Sequence, residues 1–295
     1  MTRLSRREFV RLGTAGAAAA PWILDPAALG AATISALEAI GRIQKAAGVP
    51  WNAQTVDGFK VGDPSRPVTG IVTTSLATVD VMRRAVKAGA NLIITAGPTF
   101  YSRADTPAPP APDPVVAAKN EFVAANHLIV WRFSEHSRLR TTDPFAQGLG
   151  DALGWARART KGDAARLTVP ALTLEALAAR VKSRLDARGG VRVVGRQQTR
   201  VRTIGLLPGT RSIQEMVALL PRVDAVIAGE IREWESSEYA RDVVNAGLGK
   251  ALILVGRSLS EDAGMGVCAD WLRTIVPEAP VRWLPAGDPY WRPTA

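Results

Sequence analysis

Two histidines and one cysteine in 295 residues leave this chain short of the side chains that most metal and thiol chemistry requires. A lone thiol, Cys268, cannot close an intramolecular disulfide, so packing alone must hold the fold, and the residue reads as a buried, inert thiol. No Gly-rich Walker loop or dinucleotide fingerprint follows a strand-like run, and Gly256-Arg257-Ser258-Leu259-Ser260 lacks the final glycine of a nucleophile elbow. Aromatic residues make up only 6% of the chain and form no platform interleaved with basic clusters. The formal charge of +10 sits mostly on arginines spread singly, which is a solvated surface and not a nucleic-acid footprint. Acidic small molecules or an anionic envelope surface are the partners such a charge suits. Past the first 32 residues no apolar run is long enough to span a membrane.

The N-terminal segment is informative. Ser5-Arg6-Arg7-Glu8-Phe9-Val10-Arg11 precedes a mild apolar stretch from Leu12 to Leu24, and Ala28, Gly30, Ala31 and Ala32 offer a cleavage site. This pattern is a twin-arginine export signal over residues 1–32, and it places the mature protein in the periplasm or outside the cytoplasm. Roughly 263 residues then remain, enough for one large or two modest α/β units with a real core.

Apolar runs of strand length recur at 70–75, 91–95, 127–133, 192–195, 203–207, 224–228, 251–255 and 281–284, with another strand beginning at Leu167. Helical patterns fall between them. Val79, Met82, Ala85, Val86 and Ala88 mark a helix over 78–90, and Leu174, Leu177, Val181 and Leu185 mark one over 173–187 behind a capping Thr173. The alternation predicts layered α/β architecture with largely parallel strands. Five prolines over 106–114 predict a loop, and 154–162 carries a boundary signal. The run Leu92-Ile93-Ile94-Thr95 stops at Ala96-Gly97-Pro98-Thr99-Phe100-Tyr101, and ligands in open α/β sheets sit beyond such strand ends.

Few residues carry chemistry. His127 begins a strand with no acidic neighbour at ligand spacing and reads as structural. His136 follows Glu135 at a strand end and could bind a metal or act as acid or base. Ala228-Gly229-Glu230-Ile231-Arg232-Glu233-Trp234-Glu235-Ser236-Ser237-Glu238-Tyr239 is an acidic strand-to-helix turn; with a helix begun by Glu233, Glu235 and Glu238 share a face. Acids in a first turn also simply stabilise the helix dipole. Gly205-Leu206-Leu207-Pro208-Gly209-Thr210-Arg211 could offer backbone amides at a helix start, though short glycine turns are common.

The loop after Leu92, the Val68-Thr69-Gly70-Ile71 flank, the turn around Glu230 and the tail Leu284-Pro285-Ala286-Gly287-Asp288-Pro289-Tyr290-Trp291 together resemble the NIF-three-like dinuclear metal-centre hexamer family, over about residues 57–291. The resemblance implies a two-lobed three-layer α/β/α fold. One lobe would comprise residues 33–158, completed by about 258–295, and the other 159–257. It also implies two metals in the inter-lobe cleft, a ring-shaped hexamer and a presumed metal-dependent hydrolase activity.

The ligand positions that the resemblance implies are mostly changed. A His with a neighbouring His or Glu is expected where Ala96 and Gly97 stand. In Trp131-Arg132-Phe133-Ser134-Glu135-His136-Ser137-Arg138, Glu135 and His136 remain, while Ser134 and Arg138 occupy flanking positions. Arg257 takes a histidine's place and Glu261 survives; a guanidinium cannot ligate a cation. Metal candidates are therefore Glu135, His136 and Glu261, and catalytic candidates are His136 and Glu230. The expectation is an exported member with a degenerate site, holding a divalent metal at reduced occupancy or none. It would act as a ligand-binding, partner-binding or structural homo-oligomer. The alternative is a metal-dependent hydrolase using Glu135, His136, Glu230 and Glu261 around a rearranged or single-metal site.

Replacing Arg6 and Arg7 by lysine is expected to retain precursor in the cytoplasm, as read by fractionation and immunoblotting. Unchanged export would remove the twin-arginine assignment.

Overall fold

The computed structural model describes residues 34–105 and 113–293. The export segment and nearly all of the proline-rich stretch lie outside the described residues. After α1 (Ala36–Ala47) the chain runs through β1 (Gly58–Val61), β2 (Ile71–Thr74), α2 (Val79–Lys87), β3 (Leu92–Thr95), α3 (Pro114–Ala125) and β4 (Ile129–Arg132) to the single turn α4 (Glu135–Arg138) and α5 (Pro144–Ala152). Then come β5 (Arg159–Thr160), β6 (Asp163–Thr173), α6 (Leu174–Arg184), β7 (Arg192–Val194), β8 (Arg200–Thr210), α7 (Ile213–Leu219), β9 (Ala225–Glu230), a π turn over Glu233–Ser237, α8 (Glu238–Asn245) and β10 (Ala251–Leu254). Last are α9 (Arg257–Ile275) and β11 (Val281–Trp283). Side-chain oxygens mark where several helices begin: Ser35, Thr78 and Thr173 accept from the third amide of their helices, and Ser212 forms a reciprocal capping box with Glu215.

Two sheets result, with strand orders β1-β4-β3-β2-β11 and β5-β6-β8-β9-β10-β7. In the first, only the edge pair β1/β4 is antiparallel. The second departs from the expected parallel pattern. Its centre, β8/β9/β10, is parallel, but β5/β6, β6/β8 and β7/β10 are antiparallel. The long β6 folds back on β8 at one side, and β7 runs against β10 at the other edge.

Successive strand residues point to opposite faces, and each face finds its own helices. Ile71, Leu92, Ile94, Ile129 and Trp131 pack with α1 and α9, while Val72, Ile93 and Val130 pack with α2 and α3. In the second sheet Ile204, Leu206, Ile227 and Ile253 meet α5 and α6, whereas Val226, Ala228, Leu252 and Leu254 meet α7 and α8. The fold is thus a two-lobed α/β structure with helices on both faces of each sheet.

Helix α9 joins the two sheets. Its mid-helix carbonyl at Met265 accepts from the Thr73 hydroxyl of β2 (2.7 Å), and buried Asp262 accepts from the amides of Ala286 and Gly287, fixing the tail. It meets α5 almost backbone to backbone: a methyl on Gly148 would strike the backbone of Ala263 and Gly264, and one on Gly264 would strike that of Pro144 and Phe145. Cys268 is fully enclosed in this helix layer, where burial pushes its thiol up to about 12.

Gly264→Ala is expected to cost about 1–3 kcal/mol by urea denaturation, since overpacking here meets backbone with no rotamer to yield. For Cys268 the folded-state pKa lies above the unfolded value of about 9, so the native thiol keeps its proton while the unfolded one loses it. Its contribution to stability is complete below pH 9 and declines from pH 9 towards pH 12. In urea titrations from pH 8 to 10.5, Cys268→Ala is expected to lose less stability than wild type, and parallel curves would show that the thiol is not so shifted.

Candidate functional site

The carboxyl ends of β3 and β4 face those of β8, β9 and β10 across a cleft of about 880 Å³. Its walls carry Arg103, Arg132, Arg138, Arg211, Arg232 and Arg257 together with Glu135, Glu215, Glu230, Glu235 and Glu261. Pro98, Tyr101, Ile213 and Ile231 add apolar surface.

The first expected ligand position is closed by sterics as well as chemistry. Ala96 is fully buried, and its amide continues the strand by donating to the Thr74 carbonyl (3.1 Å). A Cβ on Gly97 would collide with Leu76 and the Ser75 carbonyl and lie 3.4 Å from Arg257 Nη2. Position 97 has no room for an acidic side chain unless its neighbours move.

Glu261 is 1% exposed and sits between two guanidinium groups. Arg138 Nη2 donates to Oε1 at 2.5 Å and Arg257 Nε to Oε2 at 3.1 Å. Arg138 also lies over the Phe145 ring and reaches Asp143, while Arg211 binds Glu215 at 2.6 Å and lies 3.8 Å from Asp143. Gly209, in β8, leaves the space that the Arg138–Glu261 contact fills; its φ of 84° suits glycine, and a side chain there would run into both groups. Burial holds the Arg138 pKa below the ordinary arginine value, with Glu261 opposing it. The Gly205 to Arg211 stretch does not open a helix: most of it is β8, and α7 begins two residues after Arg211 behind Ser212.

His136 lies apart from the cleft walls. It is 1% exposed, its ring stacks on Trp51 with centroids 3.7 Å apart, and both nitrogens are used. Nε2 accepts from the Asn52 amide (2.9 Å), which assigns the proton to Nδ1, and Nδ1–H donates to Asp57 Oδ2 (2.8 Å). The same Asp57 carboxylate accepts from the amides of Ser134, Glu135 and His136. A metal ligand or general base needs a free lone pair, and this imidazole has none; it is a strut between the α4 turn and the 51–57 segment. His127 is exposed at the amino end of β4, far along the strand from the cleft.

The acidic candidates divide. Glu135 lines the cleft, accepting from the Thr55 hydroxyl (2.8 Å) and the Val56 amide (3.3 Å), with Arg103 at 3.7 Å. Burial pushes its pKa up, but these bonds and Arg103 outweigh it and the net shift is downward. Glu230 is the last residue of β9, exposed at the cleft edge, where it accepts from the Thr210 hydroxyl (3.0 Å). Of the turn that follows, Glu235 lines the cleft, Glu233 pairs with Arg192 on β7, and Glu238 pairs with Arg241 along α8. Glu235 and Glu238 therefore do not act as one face, because a π turn separates their geometry from that of a regular helix.

Among the described residues, no three His, Cys, Asp or Glu side chains form a group able to hold a metal ion. The donor set does not fit a dinuclear centre: Ala96 and Gly97 offer no ligand atoms, Arg257 is cationic, Glu261 is taken by two arginines and His136 by backbone and Asp57.

Arg132, which sequence reasoning passed over, is the most deeply buried cation of the cleft wall. It pairs with Asp105 at 3.2 Å and donates to the Arg103 carbonyl at 2.7 Å. Asp105 in turn accepts from the amides of Thr99 and Phe100, and Lys119 Nζ donates to the Thr99 carbonyl, so the loop after β3 is wrapped around one carboxylate. The signal available beforehand was an arginine ending an otherwise apolar strand.

No family model matches the chain, and no curated protein matches it by sequence. Solved structures do. The Staphylococcus aureus protein SA1388 is 18% identical with a TM-score of 0.68, covering 88% of this chain and 100% of its own. A Bacillus cereus protein related to NIF3 is 15% identical with a TM-score of 0.65, covering 88% and 99%. HcgD from Methanocaldococcus jannaschii is 14% identical with a TM-score of 0.60, covering 86% and 99%. At these identities the likeness is one of architecture, and the chain takes its place among the proteins of NIF3-like fold.

Proposed function

We propose that this chain is an exported NIF3-like protein that binds a small ligand in the cleft between its two sheets and does so without a dinuclear metal centre. One observation carries the reading: the buried Glu261 carboxylate is neutralised by the guanidinium groups of Arg138 and Arg257. A metal cation arriving there would have to compete with two guanidinium groups that already hold both oxygens. Export rests on the N-terminal pattern alone. The hydrolase reading asks Glu135, His136, Glu230 and Glu261 to serve one site, and the committed nitrogens of His136 and the committed oxygens of Glu261 speak against it.

Protein incubated with zinc or manganese, desalted and assayed by plasma mass spectrometry is expected to retain far less than one ion per chain. Chelator is expected to leave the melting temperature unchanged, whereas Glu261→Gln should cost roughly 3 kcal/mol, since it leaves two arginines without their shared anion. Stoichiometric metal that is lost in Glu261→Gln would replace this reading with the metal-dependent one.

A further inference from the structure

What the cleft holds can be argued from its uncommitted donors, an argument that rests on the metal-free reading above. Arg132 ends β4 with its side chain only 5% exposed. Its Nη1 is taken by the Arg103 carbonyl and Asp105. Its Nε is buried with no hydrogen-bond partner, and Nη2 donates to no group among the described residues. Nε and Nη2 form the side-on edge of a guanidinium, the fork whose spacing matches two oxygens of a carboxylate or phosphate. An unpaired buried donor is costly, on the order of 1–3 kcal/mol, and native interiors rarely leave one without a reason.

Arg257 stands on the opposing wall. Its Nε binds Glu261 and its Nη1 lies 3.3 Å from the Thr210 hydroxyl, while Nη2, beside Gly97, donates to no acceptor among the described residues. The two cations feel each other: burial lowers the Arg132 pKa first, and the charge of Arg257 lowers it further. Both line the same cavity, whose volume of about 880 Å³ suits a small organic molecule. Glu135 and Glu230 also line it, and their charges disfavour an extended polyanion while leaving one acidic head group tolerable.

We infer that the cleft seats the single oxyanion head group, carboxylate or phosphate, of a small organic ligand between Arg132 and Arg257, with the remainder of the ligand against Tyr101, Ile213 and Ile231. Arg132 would take the head group through Nη2, with Nε completing the fork once the side chains that enclose it give way, and Arg257 through its own Nη2.

Isothermal titration of the mature protein with phenyl phosphate and with benzoate, using benzamide as the uncharged counterpart, tests this. At least one anion is expected to bind, with benzamide weaker by about tenfold or more, and the stronger anion names the head group. Arg257→Gln should weaken that anion about tenfold, Arg132→Lys similarly because the charge stays but the fork goes, and the remote surface variant Lys182→Gln not at all. Melting curves confirm folding; if Arg132→Lys does not fold, Arg257→Gln decides alone. Absence of binding by both anions, equal affinity for benzamide, or an unchanged constant in folded Arg257→Gln overturns the oxyanion seat and leaves the metal-free reading standing. Anion binding abolished by EDTA and restored by zinc overturns both, since the anion would then sit on a metal.

Discussion

The carboxylate of Glu261 has almost no contact with water, and its charge has to be answered from within the protein. An ion so buried costs several kcal/mol unless partners of good geometry surround it. Of the two that do so, one comes from outside the helix, Arg138 on the α4 turn that follows β4; the other, Arg257, is the first residue of α9 itself, one turn before Glu261. The ion cluster thereby pins the carboxyl edge of the first sheet, through the α4 turn, to the first turns of α9, which follow directly on β10. Gly209 is shaped to it, and the contact of α5 with α9 through Gly148 and Gly264 holds the helix that carries it. Loss of this one carboxylate would leave two cations facing each other where the two sheets meet.

A buried carboxylate at strand ends can be answered by guanidinium groups or by a metal ion, and the two differ chemically. A divalent metal neutralises carboxylates and also offers an open coordination position to a substrate. A guanidinium supplies the neutralisation, and its donors are directional, fixed and unable to polarise a carbonyl as a Lewis acid does. Such a wall can recognise oxygen atoms by hydrogen bonding. At position 257 the backbone is held as the first residue of α9, while the side chain decides what the position can bind.

Most of the scaffold was legible in advance because buried central strands are continuous apolar runs. Ile71–Thr74, Leu92–Thr95, Ile129–Arg132, Ala225–Glu230 and Ala251–Leu254 all coincide with such runs to within a few residues. β1 was not seen, since Gly58-Phe59-Lys60-Val61 is a half-buried edge strand with no apolar stretch, and the two-residue β5 is too short to leave a pattern. The candidate site was less legible. Glu135, Glu230 and Glu261 do line one cleft, whereas His136 looks available in sequence only because Trp51, Asn52 and Asp57 lie about 80 residues earlier. Spacing along a chain shows which residues are near in sequence, and says nothing of a partner brought in by tertiary folding.

Arg132 shows the converse, a residue whose availability is created by its neighbours. Lys119, pulled down to about 8 by burial, holds the Thr99 carbonyl and lies over the Phe100 and Tyr101 rings, so the loop is drawn onto α3. That loop folds around Asp105, and both Tyr101 and Asp105 take left-handed backbone angles that only strong local bonding makes tolerable in non-glycine residues. Asp105 then binds Nη1 of Arg132, which fixes the plane of the guanidinium and spends its end-on donor, leaving the side-on fork. An arginine without Asp105 would be too costly to bury, and one with both edges paired would recognise nothing. The strained loop after β3 accordingly has a definite physical office: it holds a buried cation in the cleft wall with three of its five N–H donors unpaired among the described residues.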